Sequence, residues 1–199
     1  MCVRLYLHVL FIYQFAMSLL IGDSHVRRFQ QFLSTSNVDS MNINGLGALD
    51  FFGISGGSVR SVHHTQLLYS AVRDCRPHNV IVNLGSNDLD SSEDVDCIVL
   101  RLICFLTQLR SRFHLSNIVV LSFVKRYRTR NIPTHLYNER VQQANAALKH
   151  HATIAHIRFW KLRGFTNSAH NIFCDGVHLN PRGQYKFLRQ IRGILLSFL

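Results

Sequence analysis

Five apolar runs of strand length, with segments of helical spacing following them, constrain this chain more than any other feature. The runs are Ser18 to Ile21, Leu49 to Ile54, Val80 to Leu84, Asn117 to Phe123 and Thr153 to Phe159. Val26 to Leu33, Ser58 to Val72, Ser91 to Phe113, Pro133 to His150 and Pro181 to Phe198 repeat apolar residues every three or four positions. Pro133 and Pro181 suit a first helical turn, where the backbone N–H has no partner to lose. Strand and helix alternating in this way predict a three-layer α/β/α sandwich around a five-stranded parallel sheet, because each parallel connection needs a crossover and the crossover helix covers the sheet. The 199 residues have room for one such domain, and no linker, repeat or low-complexity run divides them.

The apolar runs end in polar motifs. Gly22-Asp23-Ser24-His25 follows the first, Gly53-Ile54-Ser55-Gly56-Gly57 closes the second, Gly85-Ser86-Asn87-Asp88 follows the third, and Asp175-Gly176-Val177-His178 precedes the last helix. In an open parallel sheet the carboxyl ends of the strands are where ligands bind, so pattern and motifs agree on one rim. Ser24 in a strand-to-helix turn has an exposed hydroxyl and an amide among the orphan N–H groups of a helix start, although an N-cap serine would want the same turn. His178 is a base for that hydroxyl, and Asp175, three residues before it, has the reach to turn back onto one ring nitrogen. Gly56 allows close backbone approach and Asn87 offers uncharged N–H groups, which makes both, with the Ser24 amide, candidate donors to an oxyanion. Asp23 and Asp88 read as turn braces.

In order and spacing, these four blocks resemble those of the SGNH (GDSL-type) hydrolases, over roughly residues 18 to 190. The resemblance implies a flavodoxin-like sheet and hydrolysis of carboxylic esters, with short-chain acyl or O-acetyl groups as candidates. It assigns Ser24, His178 and Asp175 to the triad and Gly56 and Asn87 to the oxyanion hole. The expected partner is a small-molecule, glycan or lipid ester. No metal or cofactor is called for, since no H-E-x-x-H or paired Cys/His spacing occurs.

Two other readings compete. Gly53 to Gly57 also fits the G-x-S-x-G elbow, with Ser55 as the nucleophile of an α/β-hydrolase, but that leaves the first and third blocks without a role. The net charge of +11 implies an acidic partner or substrate. Lys125, Arg126, Arg128 and Arg130 follow the fourth run and Lys161 and Arg163 the fifth, so topology would bring all six to the rim of Ser24, facing an anionic substrate, an anionic surface or nucleic acid. The stretch from Gly22 to Arg28 is similar to basic esterase domains encoded by some animal retrotransposons beside nucleic-acid-binding segments. In such a module the pocket is retained for association, and the feature favouring it would be a missing catalytic residue.

Residues 1–17 form an apolar N-terminal segment; Leu5 to Ile21 is strongly apolar, but His8 and Gln14 interrupt it and no run reaches the roughly 20 apolar residues of a membrane span. A signal peptide ending near Ala16 would leave the first strand intact, yet a single basic residue, Arg4, precedes the apolar stretch, and a clean small-x-small cleavage site is absent. With no Asn-x-Ser/Thr sequon either, the balance favours an intracellular protein, with residues 18–199 forming the esterase domain. Five cysteines, Cys2, Cys75, Cys97, Cys104 and Cys174, show no pairing framework and read as free, mostly buried thiols.

Overall fold

The computed structural model describes residues 17–36, 49–165 and 169–198; most of the apolar N-terminal segment, residues 1–16, and with it Cys2, lies outside these. Strands β1 (Ser18–Gly22), β2 (Leu49–Gly53), β3 (Asn79–Asn83), β4 (Asn117–Leu121) and β5 (Arg158–Trp160) form one sheet in the order β2-β1-β3-β4-β5, with every neighbouring pair parallel. The central strands β1 and β3 are buried along their whole length, as a strand covered on both faces must be, whereas edge strand β2 is half-buried.

Period-two alternation divides the core into two. Leu19, Ile21, Val80, Val82, Ile118 and Val120 point to one face, where they pack under α2 (Val62–Cys75), α4 (Val95–Phe113) and α5 (Thr134–Ile154). Leu20, Ile81, Val119 and Leu121 point to the other, under α1 (Ser24–Thr35) and α6 (Pro181–Leu196). This is the α/β/α sandwich that the alternation of elements predicts.

Boundaries shift where capping overrides apolar pattern. Helix α4 starts at Val95 rather than Ser91 because the Asp94 carboxylate accepts the N–H groups of Asp96 and Cys97, and the third block supplies its own short helix, α3 (Ser86–Leu89). Thr153 and Ile154, expected in the fifth strand, complete α5 instead; His156 then takes a positive φ of 53°, leaving only three residues for β5. The cysteines also differ from expectation. Cys97, Cys104 and Cys174 are exposed and Cys75 half-buried, all four as free thiols, because the buried stripe of α4 is supplied by Ile98, Leu102, Phe105 and Leu109.

The order of strands reverses between β1 and β3, so the loops leaving β2, β1 and β3 lie side by side at one end of the sheet. Backbone bonds fix them to one another: Asp23 N–H donates to Asn83 O at 3.1 Å and Ile54 N–H to Gly22 O at 2.9 Å.

Candidate active site

Ser24 is the first residue of α1, and Asp23 caps the helix by accepting the His25 N–H at 2.9 Å. The serine hydroxyl is therefore not used as a cap, and its own N–H stands in a first turn that offers no intrahelical acceptor. Ser24 Oγ lies 3.0 Å from His178 Nε2, and His178 Nδ1 lies 2.6 Å from Asp175 Oδ2.

Asp175 and His178 sit in a loop closed by an antiparallel bridge between Phe173 and Leu179 and by a 2.9 Å bond from Cys174 N–H to His178 O. Asp175 Oδ1 accepts the N–H groups of Val177 and His178 at 2.9 and 2.7 Å, which leaves Oδ2 to face the ring. Gly176 makes this turn at φ +82°, and a Cβ there would come within 2.9 Å of Arg128 Cβ. Burial works to raise the Asp175 carboxyl, but the His178 N–H, the His178 ring and the Val177 N–H outweigh it and hold the group well below the usual carboxylate range. It is an anion at any working pH.

The remaining two blocks complete the mouth. Gly56 has φ +68° and open space where a Cβ would stand, so the backbone itself faces the cavity. Asn87 donates from Nδ2 to Gly57 O at 2.9 Å and accepts on Oδ1 from Arg126 Nη2 at 2.9 Å. Asp88 braces the adjoining turn by accepting the N–H groups of Val59 and Arg60 and the hydroxyl of Ser58. Ser24, Gly56, Asn87, Asp175 and His178 all line one cavity of about 960 Å³. Ser55 lines it too, but its Oγ accepts from Arg27 Nη1 at 3.0 Å, and the hydroxyl paired with His178 is that of Ser24.

Two buried groups lie beside Ser24. His25 packs its ring 5.6 Å from that of His178, and burial, followed by the positive charge of Arg126, pushes it down to about 3, so the flanking ring is neutral. Asp23 is fully buried and its Oδ2 has no hydrogen-bond partner. Burial, aided by Asp88, pushes its carboxyl up to about 6 against the opposing His25 N–H and Arg126 charge. Between pH 4 and 6 the folded protein thus keeps a proton that the unfolded chain releases, and stability present below pH 4 is lost as pH rises through 6. Denaturant unfolding of wild type and Asp23→Asn at pH 4 and pH 7 should show wild type losing about 2 kcal/mol relative to the variant. A difference that does not change with pH would disprove the buried, raised carboxyl.

The sequence matches the model of the GDSL-like lipase/acylhydrolase family over residues 20–186. The chain belongs to this family. It is an ester hydrolase of the esterase/lipase type, with the fold of SGNH hydrolases. No curated protein matches it in sequence. Among solved structures it is similar to a GDSL-like lipase from Bacteroides thetaiotaomicron (TM-score 0.73, 16% identity, covering 92% of this chain and 89% of that one). It is also similar to a lipase/acylhydrolase from Enterococcus faecalis (0.65, 15%, 91% and 96%) and to the psychrotrophic esterase EstA from Pseudoalteromonas inhibited by monoethylphosphonate (0.63, 13%, 92% and 98%).

The basic residues of this GDSL-like hydrolase do not share one rim. Arg126, Arg128 and Arg130 line the cavity of Ser24, with Arg128 and Arg130 exposed and Arg126 buried. Lys125 and Lys161 line a separate depression of about 300 Å³ beside Phe123, Phe159 and Phe165. Arg163 is exposed, with its N–H 3.5 Å from Gln190 on α6. Arg28, which the sequence marks only as the end of the basic stretch from Gly22 and not as a rim residue, lines the Ser24 cavity. Its signal was available: it stands four residues after Ser24 on one helix, hence one turn along the same face. Among the described residues no helix is long and apolar enough to cross a membrane, and no cluster of three or more His, Cys, Asp or Glu side chains is placed to hold a metal ion.

Proposed function

We propose that this GDSL-like hydrolase cleaves carboxylic esters of short acyl groups through Ser24, His178 and Asp175. The observation that carries the proposal is the continuous relay of 3.0 and 2.6 Å from Ser24 Oγ through the imidazole to an anionic carboxylate. Ser24 Oγ attacks the acyl carbon as His178 Nε2 takes its proton, and Asp175 holds the proton on Nδ1 and stabilises the imidazolium. The carbonyl oxygen becomes an oxyanion facing the Ser24 N–H, the Gly56 backbone and Asn87 Nδ2. Collapse expels the alkoxide, which takes the proton from Nε2. Water then attacks the acyl-serine with the same histidine as base, releasing the acid and regenerating Ser24. The complete relay also speaks for an enzyme over a module kept only for association.

The lining supports a small acyl group joined to an anionic alcohol part. Val177 is its aliphatic side chain, while exposed Arg28, Arg128 and Arg130 stand around the mouth. Tyr127 and Arg128 donate their N–H groups to Gly176 O at 2.8 and 3.3 Å, which docks the basic loop onto the loop of Asp175 and His178. A serine-directed phosphonate, followed by peptide mapping, tests the nucleophile: labelling of Ser24 is expected, and labelling of Ser55 would overturn the assignment. Replacing Arg28, Arg128 and Arg130 together by Gln should raise KM for an acetyl ester bearing a phosphate or carboxylate by roughly 5- to 150-fold, at a few tenths to 1 kcal/mol per exposed charge. A neutral acetyl ester should be spared, and added salt should imitate the variant because exposed charges are screened over about 8 Å at physiological ionic strength. Equal changes for both esters would show that the charges do not read the substrate.

A further inference from the structure

Arg126 belongs to the basic run in sequence but not to the exposed rim in space. Its side chain is 5% exposed, and its backbone is clamped by Asn138, which accepts the Arg126 N–H at 3.0 Å and donates to the Arg126 carbonyl at 2.9 Å. The guanidinium lies 5.1 Å from the ring centroid of the fully buried Tyr137. One terminal nitrogen donates to Asn87 Oδ1 at 2.9 Å, and the other lies 3.8 Å from Asp90 Oδ2. We propose that Arg126 is a positioning residue for the oxyanion hole, acting through Asn87. The proposal rests on the serine hydrolase reading above.

A carboxamide has two ends of nearly equal size, and only the nitrogen end can donate to an oxyanion. Two contacts decide which end faces which way. Gly57 O takes one Nδ2 hydrogen and would repel Oδ1. The guanidinium donates to Oδ1 and would repel Nδ2. A flipped amide would lose both bonds and create two like contacts, so both neighbours hold the observed orientation and the second Nδ2 hydrogen is left for the reacting oxygen. The cation also withdraws electron density through the amide, and charge-assisted bonds of this kind strengthen the donors further along the chain.

A purely structural ion pair explains the arrangement less well. Asp90 already accepts the backbone N–H groups of Arg130, Asn131 and Ile132, at 2.9, 3.1 and 3.3 Å, so its loop is tied down without the guanidinium. The shorter contact of Arg126 is to Asn87, not to Asp90.

The test is a double-mutant cycle on a neutral acetyl ester, which the outer arginines do not read. With Asn87 present, Arg126→Met should lower kcat by about 10²-fold, the scale of one oxyanion donor, and leave KM within about threefold. In an Asn87→Ala background the same substitution should lower kcat by less than about threefold, because the group it positions is gone. Since Arg126→Met leaves a buried carboxylate without its cation, the cycle is repeated with Arg126→Lys, which keeps a charge beside Asp90 and loses the planar fork. At least a tenfold fall with Asn87, and under threefold without it, is expected there. Equal losses in both backgrounds, or a rise in KM with kcat unchanged, would overturn the proposal. Failure of the hydrolase reading shows separately, as a wild-type protein whose Ser24 does not take the phosphonate.

Discussion

Ser24→Ala is expected to lower kcat/KM for an acetyl ester by roughly 10⁴- to 10⁶-fold, the range over which loss of a triad nucleophile leaves only binding and the oxyanion hole. The fold should survive. Asp23, not Ser24, caps α1, and the Ser24 side chain reaches His178 rather than the core. Removing one half-buried hydroxyl from such a position changes stability by about 0.5 kcal/mol or less. Activity and denaturant unfolding measured on the same preparation separate the two effects. Turnover that persists at more than a few per cent of wild type would mean that another group attacks. The natural suspect would be Ser55, whose hydroxyl lines the same cavity beside Arg27.

That Ser24, Asp175 and His178 would meet was legible because each stands in a short turn whose geometry is set locally. Asp175 to His178 is a four-residue turn whose spacing dictates which carboxylate oxygen meets which ring nitrogen. Ser24 is placed by a strand end and a helix start, both marked by apolar pattern. The sheet was legible for the same reason, with buried strands reading as unbroken apolar runs. The fifth strand was not, because Thr153 and Ile154 are apolar enough for either state and the helix arriving from Thr134 claims them. Basic residues were misplaced where direction matters more than position. Lys125 and Arg126 are neighbours in sequence, yet one faces a groove by Phe159 and the other reaches Asn87. That Arg126 is buried depends on Tyr137, Asn138 and Asp90, which lie 11, 12 and 36 residues away in the chain and carry no shared signature.

His178→Ala should be nearly as damaging as Ser24→Ala, at roughly 10⁴- to 10⁶-fold, and the double variant Ser24→Ala/His178→Ala should be within about tenfold of either single one. The reason is mechanistic. Without the base, Ser24 Oγ keeps its proton at neutral pH and attacks poorly; without the serine, the imidazole has no hydroxyl to activate. Asp175→Asn should fall short of both, by about ten- to a hundredfold. Its Oδ1 can still accept the N–H groups of Val177 and His178, so the loop keeps its shape. What changes is the atom facing the ring: an amide Nδ2 in place of Oδ2 donates to His178 Nδ1 and forces the ring proton onto Nε2, the atom that must accept from Ser24. Single-turnover acylation by a chromogenic acetyl ester resolves these losses from product release. A double variant slower by the product of the single losses would show Ser24 and His178 working on separate steps, contradicting a relay that joins them at 3.0 Å.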